Sequence, residues 1–286
     1  MKVLVTGATG HLGSLVVNHL LDKMDAKSIA ISVRNPEKAT NFADKGIDVR
    51  KGDFDQPDTL ITAFEGIDKL LIISTDLDNE TRIRQHREAV AAAKKAGVKH
   101  IIYTSVANAP SSTLALAEVH RQTEKAIIET GISYTFLRNN WYLENEISSI
   151  QAAAAGAPWV TSAQGGKVGW TLRREYAEAA ANVLAGEGHE NKIYELSGVP
   201  HTQDELAAVV GKTLGKEIPV LNVSDEAYAE GLRAAGLPEF VVELLQGIQK
   251  SIREDALDVV SSDLEKLLGR LPLPLEQAVA EMVSGL

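Results

Sequence analysis

Apolar positions along this chain switch repeatedly between two spacings, short continuous runs and stretches of helical period. Residues 3–5 are apolar without a break and lead into Gly7, Gly10 and Gly13, three glycines at every third position. Leu12, Leu15, Val16 and Leu20 then recur on one helical face, so the opening reads as strand, tight turn, helix. Residues 28–33 and 47–55 read as strands and 58–64 as a helix. Residues 68–75 form an unbroken apolar strand of the kind covered by helices on both faces. A helix with an alanine-rich face spans 79–96 and stops at Gly97. A fifth strand at 98–105, a helix at 114–129 and a sixth strand at 132–137 continue the series. This alternation predicts an α/β fold, a doubly wound parallel (Rossmann) sheet.

The second half has a different character. A glycine-rich turn at 162–167 breaks the pattern, and helix 173–186 with strand 192–197 reads as a return to the sheet. Thr202 caps a helix through 214, residues 218–223 form a short strand, and helices dominate from 225 onward. We expect residues 1–155 to form a dinucleotide-binding domain to which segments near 173–198 return. Residues 156–286 would supply mainly a smaller, mostly helical C-terminal substrate lobe.

Composition narrows the function. Of 286 residues, 44% are hydrophobic and 24% charged, an ordinary globular balance. The chain has no cysteine, which excludes disulfides, thiolate metal sites and a cysteine nucleophile and suits a reducing, cytoplasmic setting. Strand residues from position 2 leave no room for a signal peptide, and no apolar run approaches the length of a membrane span. A net charge of −10 without a basic, aromatic-interleaved stripe argues against nucleic acid as a partner. His86, His100, His189 and His201 lack ligand spacing, so no metal site is expected.

Candidate chemistry starts at the glycine turn. Unpaired amides at a helix N-terminus attract phosphate, and glycine permits both the turn and the close approach. Here two residues separate Gly7 from Gly10, a departure from the simplest dinucleotide fingerprint, but the strand-to-helix context is the required one. At the end of the second strand an acidic residue would suit a ribose hydroxyl, whereas Arg34, with Lys38 nearby, suits a 2′-phosphate. That points to NADP(H). Asp53 either accepts a hydrogen bond from adenine or caps the following turn. Ser74 and Thr75 end a strand where ligands of such sheets sit, and Arg138, Asn139, Asn140, Trp141 and Tyr142 follow the sixth strand. Trp141, Tyr142 and Trp159 either stack on a planar substrate or pack in the core.

With those residues placed, the chain resembles the NmrA-like branch of the atypical short-chain dehydrogenases/reductases. GATGHLG at 7–13, VRNPEKA at 33–39, GDFDQPDTL at 52–60, YTSVANA at 103–109, LRNNWYLEN at 137–145 and YELSG at 194–198 are similar to bacterial NADPH-dependent quinone oxidoreductases. The resemblance implies NADP(H) lying across Gly7, Thr9, Gly10, His11 and Leu12, with Arg34 on the 2′-phosphate and Asp53, Ser74, Thr75 and Asn139 as further cofactor contacts. It also implies a quinone pocket near Asn139, Trp141 and Tyr142.

Many members of the wider superfamily use a tyrosine and a lysine four residues later to protonate an alkoxide, but here that helix reads His120-Arg121-Gln122-Thr123-Glu124. Tyr103 lies on a strand and is no obvious substitute. Quinone reduction demands less, because a delocalised hydroquinone anion takes its proton from water or a weak donor. We therefore expect hydride transfer from NADPH to small quinones without flavin, with Ser74, Asn139, Asn140 and Tyr142 as polar contacts. Asn139 and Tyr142 are the catalytic candidates, and His120 is a third, although a lone helical histidine is more often structural. The alternative is a non-catalytic NADP(H) sensor acting through a protein partner. A homodimer is a candidate assembly.

Overall fold

The computed structural model describes residues 1–286. The strands in chain order are β1 (Val3–Thr6), β2 (Ile29–Val33), β3 (Asp48–Lys51), β4 (Lys69–Ile72), β5 (His100–Val106), β6 (Ser133–Asn139), the short β7 (Trp159–Thr161) and β8 (Lys167–Val168), β9 (Lys192–Leu196), and the short β10 (His201–Thr202) and β11 (Val220–Asn222). Seven of them pair in parallel as one sheet, in the order β3-β2-β1-β4-β5-β6-β9. The order reverses between β1 and β4, which places the ligand crevice of such a sheet at the carboxyl ends of those two strands.

Helices cover both faces because the strands send alternate residues each way. Val3 and Val5 of β1 share a buried core with Leu12, Val16 and Leu20 of α1 (His11–Leu21), while Leu4 between them joins the opposite core. That second core includes Leu60 and Phe64 of α3 (Pro57–Phe64) and Ala89 and Ala93 of α4 (Asn79–Ala96). It also includes Ile127 of α5 (Ala117–Glu129). Between α1 and α3 lies the single-turn α2 (Thr40–Ala43). Each fully buried Leu or Ile contributes about 1.5–3 kcal/mol, so the alternation in a four-residue strand already fixes which face each helix must cover.

The rest of the chain does two jobs. Ile150 and Ala153 of α6 (Ile147–Ala154) join a third buried cluster, and α7 (Arg173–Ala185) lies against α1 to complete the first face. Then α8 (Gln203–Leu214) and α10 (Glu239–Arg253), with α9 (Asp225–Ala234) against α10, return to that cluster, where Trp159, Val168, Leu206, Val210 and Ile252 are buried together. The Thr202 cap is a full capping box with Glu205. Leu264, Leu267 and Leu268 of α11 (Asp263–Leu268) go back to the α1–α7 face, a return beyond the 173–198 segment expected from sequence. The chain ends in α12 (Leu275–Ser284), packed on α8, and no helix is long and apolar enough to cross a membrane.

Boundaries differ from the sequence pattern for identifiable reasons. β4 stops at Ile72 rather than running to 75, because the amides of Ile73, Ser74 and Thr75 go to side chains and leave the ladder. β5 and β6 run on to Val106 and Asn139, because Ser105 pairs with Arg138 and Val106 with Asn139, extending the ladder through polar residues. β3 stops at Lys51 rather than running to 55, since Asp53 opens a turn whose Gln56 N–H donates to the Asp53 carbonyl at 2.9 Å.

Candidate active site

At the switch point the chain leaves β1 through Gly7, which holds φ of 60° in the left-handed region. Gly10 N–H donates to the Gly7 carbonyl at 2.9 Å, and α1 begins at His11 with neither a side-chain cap nor an acidic residue in its first turn. The first-turn amides and the positive end of the helix dipole are therefore free for an anion. A Cβ on Gly13 would lie 2.3 Å from the Gly7 carbonyl oxygen, so the third glycine is required by the helix pressing against its own turn. Thr9 and His11 are exposed on the turn, whereas the Leu12 side chain enters the core and leaves only its backbone to face a ligand.

Arg34, one residue past β2, is exposed and makes no hydrogen bond or ion pair, and Lys38 on the following turn is likewise free. The Asp55 carboxylate feels the Arg34 charge but forms no ion pair with it. Arg84 at 2.6 Å and then Gln85 hold the carboxylate, and hold its pKa below the usual carboxylate range. Asp53 Oδ1 accepts the Asp55 N–H at 3.0 Å, the turn-capping role weighed above.

Beyond β4, three successive amides are each satisfied by a different side chain. Ile73 N–H donates to Thr6 Oγ1, Ser74 N–H to Thr104 Oγ1 and Thr75 N–H to His86 Nε2, each at 3.0 Å. The Ser74 hydroxyl stays half-buried at the mouth, while the Thr75 hydroxyl lies 3.2 Å from His86 Nε2.

At the end of β6, Arg138 is buried between two carboxylates. Glu124 accepts from it at 2.9 and 2.7 Å and Glu195 at 3.0 Å, and Ser105 Oγ donates to Glu124 at 2.6 Å. Burial alone would lower the Arg138 pKa, but hydrogen bonds and charge from Glu124, then Glu195, raise it. Next to it, Asn139 is buried, donates Nδ2–H to Tyr142 Oη at 3.2 Å and leaves Oδ1 without a partner. Tyr142 is half-buried, tilted against Tyr176 with ring centroids 5.2 Å apart, and carries the Arg173 guanidinium 5.0 Å from its ring centre. Burial pushes the Tyr142 hydroxyl pKa up.

Other candidates lie elsewhere. Both nitrogens of His120 face inward, Nδ1 2.8 Å from Tyr103 Oη and Nε2 3.4 Å from Arg82, and burial, then Arg82, keeps the ring neutral far below its usual pKa. The histidine sits inside the helix–sheet interface instead of at the crevice. Asn140 bonds Ser197, Leu257 and the Trp141 amide, so its polar groups are occupied. Trp159 is core, with Nε1 donating to Gln203 at 2.9 Å, whereas Trp141 is half-buried. In the sequence His86 is read only as one of the histidines without metal-ligand spacing. Its signal was present: it stands three residues before Ala89 and seven before Ala93, on the buried face of α4.

The free helix terminus after β1, the unpaired Arg34 and Lys38 after β2 and the orphaned Asn139 Oδ1 at the end of β6 stand at the carboxyl edge of one parallel sheet and together suit a phosphorylated dinucleotide. The profile of the NmrA-like family matches residues 1–272. The chain belongs to the NmrA-like family. Among NmrA-like relatives, Quinone oxidoreductase 2 of Escherichia coli is 39% identical over 281 residues, covering 98% of each chain. The crystal structure of that NADPH-dependent enzyme complexed with NADPH has a TM-score of 0.95 and covers 99% of this chain and 100% of its own. Citrobacter sp. triphenylmethane reductase is 44% identical, with a TM-score of 0.95 over 99% of this chain and 100% of that one. Its complex with NADP(H) gives 0.94.

Proposed function

We propose that the chain is an NADPH-dependent oxidoreductase that passes a hydride to small quinones without flavin. What sets it apart from carbonyl reductases is α5, where the positions of the usual acid pair hold His120 and Glu124. Both are buried, one bonded to Tyr103 and the other to Arg138 and Ser105, so neither is free to protonate an alkoxide. Acceptors whose reduced form survives as a delocalised anion remain available, and the kinship with a quinone oxidoreductase at 39% identity supports that class.

Bound NADPH supplies the hydride. The amides of the Gly7–Gly13 turn hold its pyrophosphate, and Arg34 and Lys38 take the 2′-phosphate. Asp53 keeps Oδ2 for the adenine side. Ser74 and Thr75 flank the nicotinamide-side ribose, and Asn139 Oδ1 accepts a hydrogen bond from the nicotinamide end. Tyr142 and Trp141 form the wall against which a planar acceptor lies, and the lobe excludes water. The proposal includes the division into a cofactor domain over 1–155 and a lobe mainly over 156–286, a cytoplasmic setting and a homodimer, the last checked by mass measurement in solution.

The deciding assay follows NADPH absorbance with purified protein, with and without a simple quinone, and repeats it with NADH. Quinone-dependent oxidation that prefers NADPH is expected. Binding of NADPH with no oxidation across a panel of quinones would favour the non-catalytic sensor.

A further inference from the structure

The three amides after β4 are taken by Thr6 of β1, Thr104 of β5 and His86 of α4, while the carbonyl oxygens of Ile73, Ser74 and Thr75 have no partner in the protein. Capped donors beside free acceptors turn this stretch of backbone at the switch point into an acceptor-only strip, matched to a ligand that donates hydroxyl hydrogen bonds and poorly matched to an anion. Thr6 and Thr104 belong to strands held by the ladder. The third cap crosses from a helix, and it alone fixes the outermost amide.

We infer that His86 is a positioning residue for the cofactor: its Nε2 holds the Thr75 amide and so keeps the Ile73–Thr75 carbonyls aligned for the hydroxyls of the nicotinamide-side ribose. This rests on the NADPH reading given above. The hydrogen bonds around the imidazole define its tautomer. Since Nε2 accepts from Thr75, the proton is on Nδ1, facing Thr123 Oγ1 at 3.0 Å. Thr123 in turn donates to the Val119 carbonyl at 2.7 Å, which leaves its lone pair for that N–H. The charged and titratable groups around the ring are Arg82 from the same helix, Tyr103 from β5 at 3.4 Å, and His120 from α5 beyond it. Burial first, then Arg82, holds the His86 pKa down to about 3, so the acceptor is present throughout the neutral range. An aliphatic side chain would fill this buried position at less desolvation cost, and what it would lack is the acceptor.

The experiment compares wild type with His86→Phe, which removes the acceptor, and His86→Gln, whose amide oxygen reaches the place of Nε2. Dissociation constants are measured for NADPH and for its 2′-phosphoadenosine half alone, with Tm recorded alongside. One neutral hydrogen bond corresponds to a roughly five- to tenfold change. His86→Phe is expected to weaken NADPH by about that factor and raise its KM more than it lowers kcat, with the adenosine half bound as in wild type. His86→Gln is expected to recover most of the NADPH affinity. Should His86→Phe fail to fold, His86→Asn, whose shorter amide takes the place of Nδ1 beside Thr123 and falls short of the Thr75 amide, gives the same split. Equal weakening of both ligands, or unchanged NADPH binding in the variants, overturns the assignment. If wild type binds neither ligand, it is the NADPH reading that falls.

Discussion

Arg34→Ala tests the cofactor assignment most directly. The guanidinium makes no hydrogen bond or ion pair within the protein, so its removal breaks no internal bond and stability should stay within about 0.5 kcal/mol of wild type. Asp55, which feels the Arg34 charge, is hydrogen-bonded by Arg84 at 2.6 Å, so Arg34 enters any complex without first giving up a bonded partner. A hydrogen bond to a charged group is worth about 1.5–3 kcal/mol, and Lys38 remains beside the site, so the loss should fall near the lower figure. That corresponds to a roughly ten- to thirtyfold rise in the NADPH dissociation constant. NADH has no 2′-phosphate and should bind within about twofold of wild type. Titration of both cofactors against both proteins gives the ratio. Equal losses for NADH and NADPH would refute the argument, because they would mean that Arg34 acts on something the two cofactors share.

Gly13→Ala should abolish cofactor binding and lower Tm, since its methyl must displace the turn that cradles the phosphate; a normally binding, normally stable variant would sink the packing argument. Glu124→Ala leaves Arg138 with Glu195 alone and should destabilise by about 3–5 kcal/mol in denaturant titration, more than the exposed Arg84–Glu88 pair, worth about 0.5 kcal/mol. Glu146 accepts from Trp170 Nε1 at 3.2 Å and has no cationic partner, and burial raises its pKa to about 7. Because the native carboxyl keeps its proton to a higher pH than the unfolded one, stability falls as pH rises from about 4.5 to about 7 and then levels. The Tm advantage of Glu146→Gln over wild type should therefore widen between about pH 5 and pH 8, and a constant gap would contradict the assignment.

Sequence periodicity exposed what depends on local chemistry. The helix over 79–96 matched residue for residue, since Asp78 caps its start and Gly97 ends it with a left-handed turn. The glycine turn was legible for the same reason: few other sequences join a strand to a helix so abruptly. What stayed hidden depends on partners far along the chain. Arg138 and Asn139 look like loop residues until Glu124 and Glu195 neutralise the arginine inside the ladder. Asn140 looks like a ligand contact until Ser197 and Leu257 take its amide. The role of His86 depends on a loop eleven residues before it, and nothing in its own neighbourhood announces that bond.

The late return of α7, β9 and α11 governs how the chain can acquire its structure. Leu184, Leu196, Leu264 and Leu268 join the same apolar core as Val5 of β1, Val16 of α1 and Ile31 of β2. A ribosome releases the glycine turn long before the segments that seal the layer beneath it. Until about residue 268 has emerged, the nascent sheet has one helix-covered face and one partly bare. Consolidation of the amino-terminal half thus waits on the carboxyl-terminal half, and a fragment ending at 155 should bind apolar dyes and yield quickly to protease.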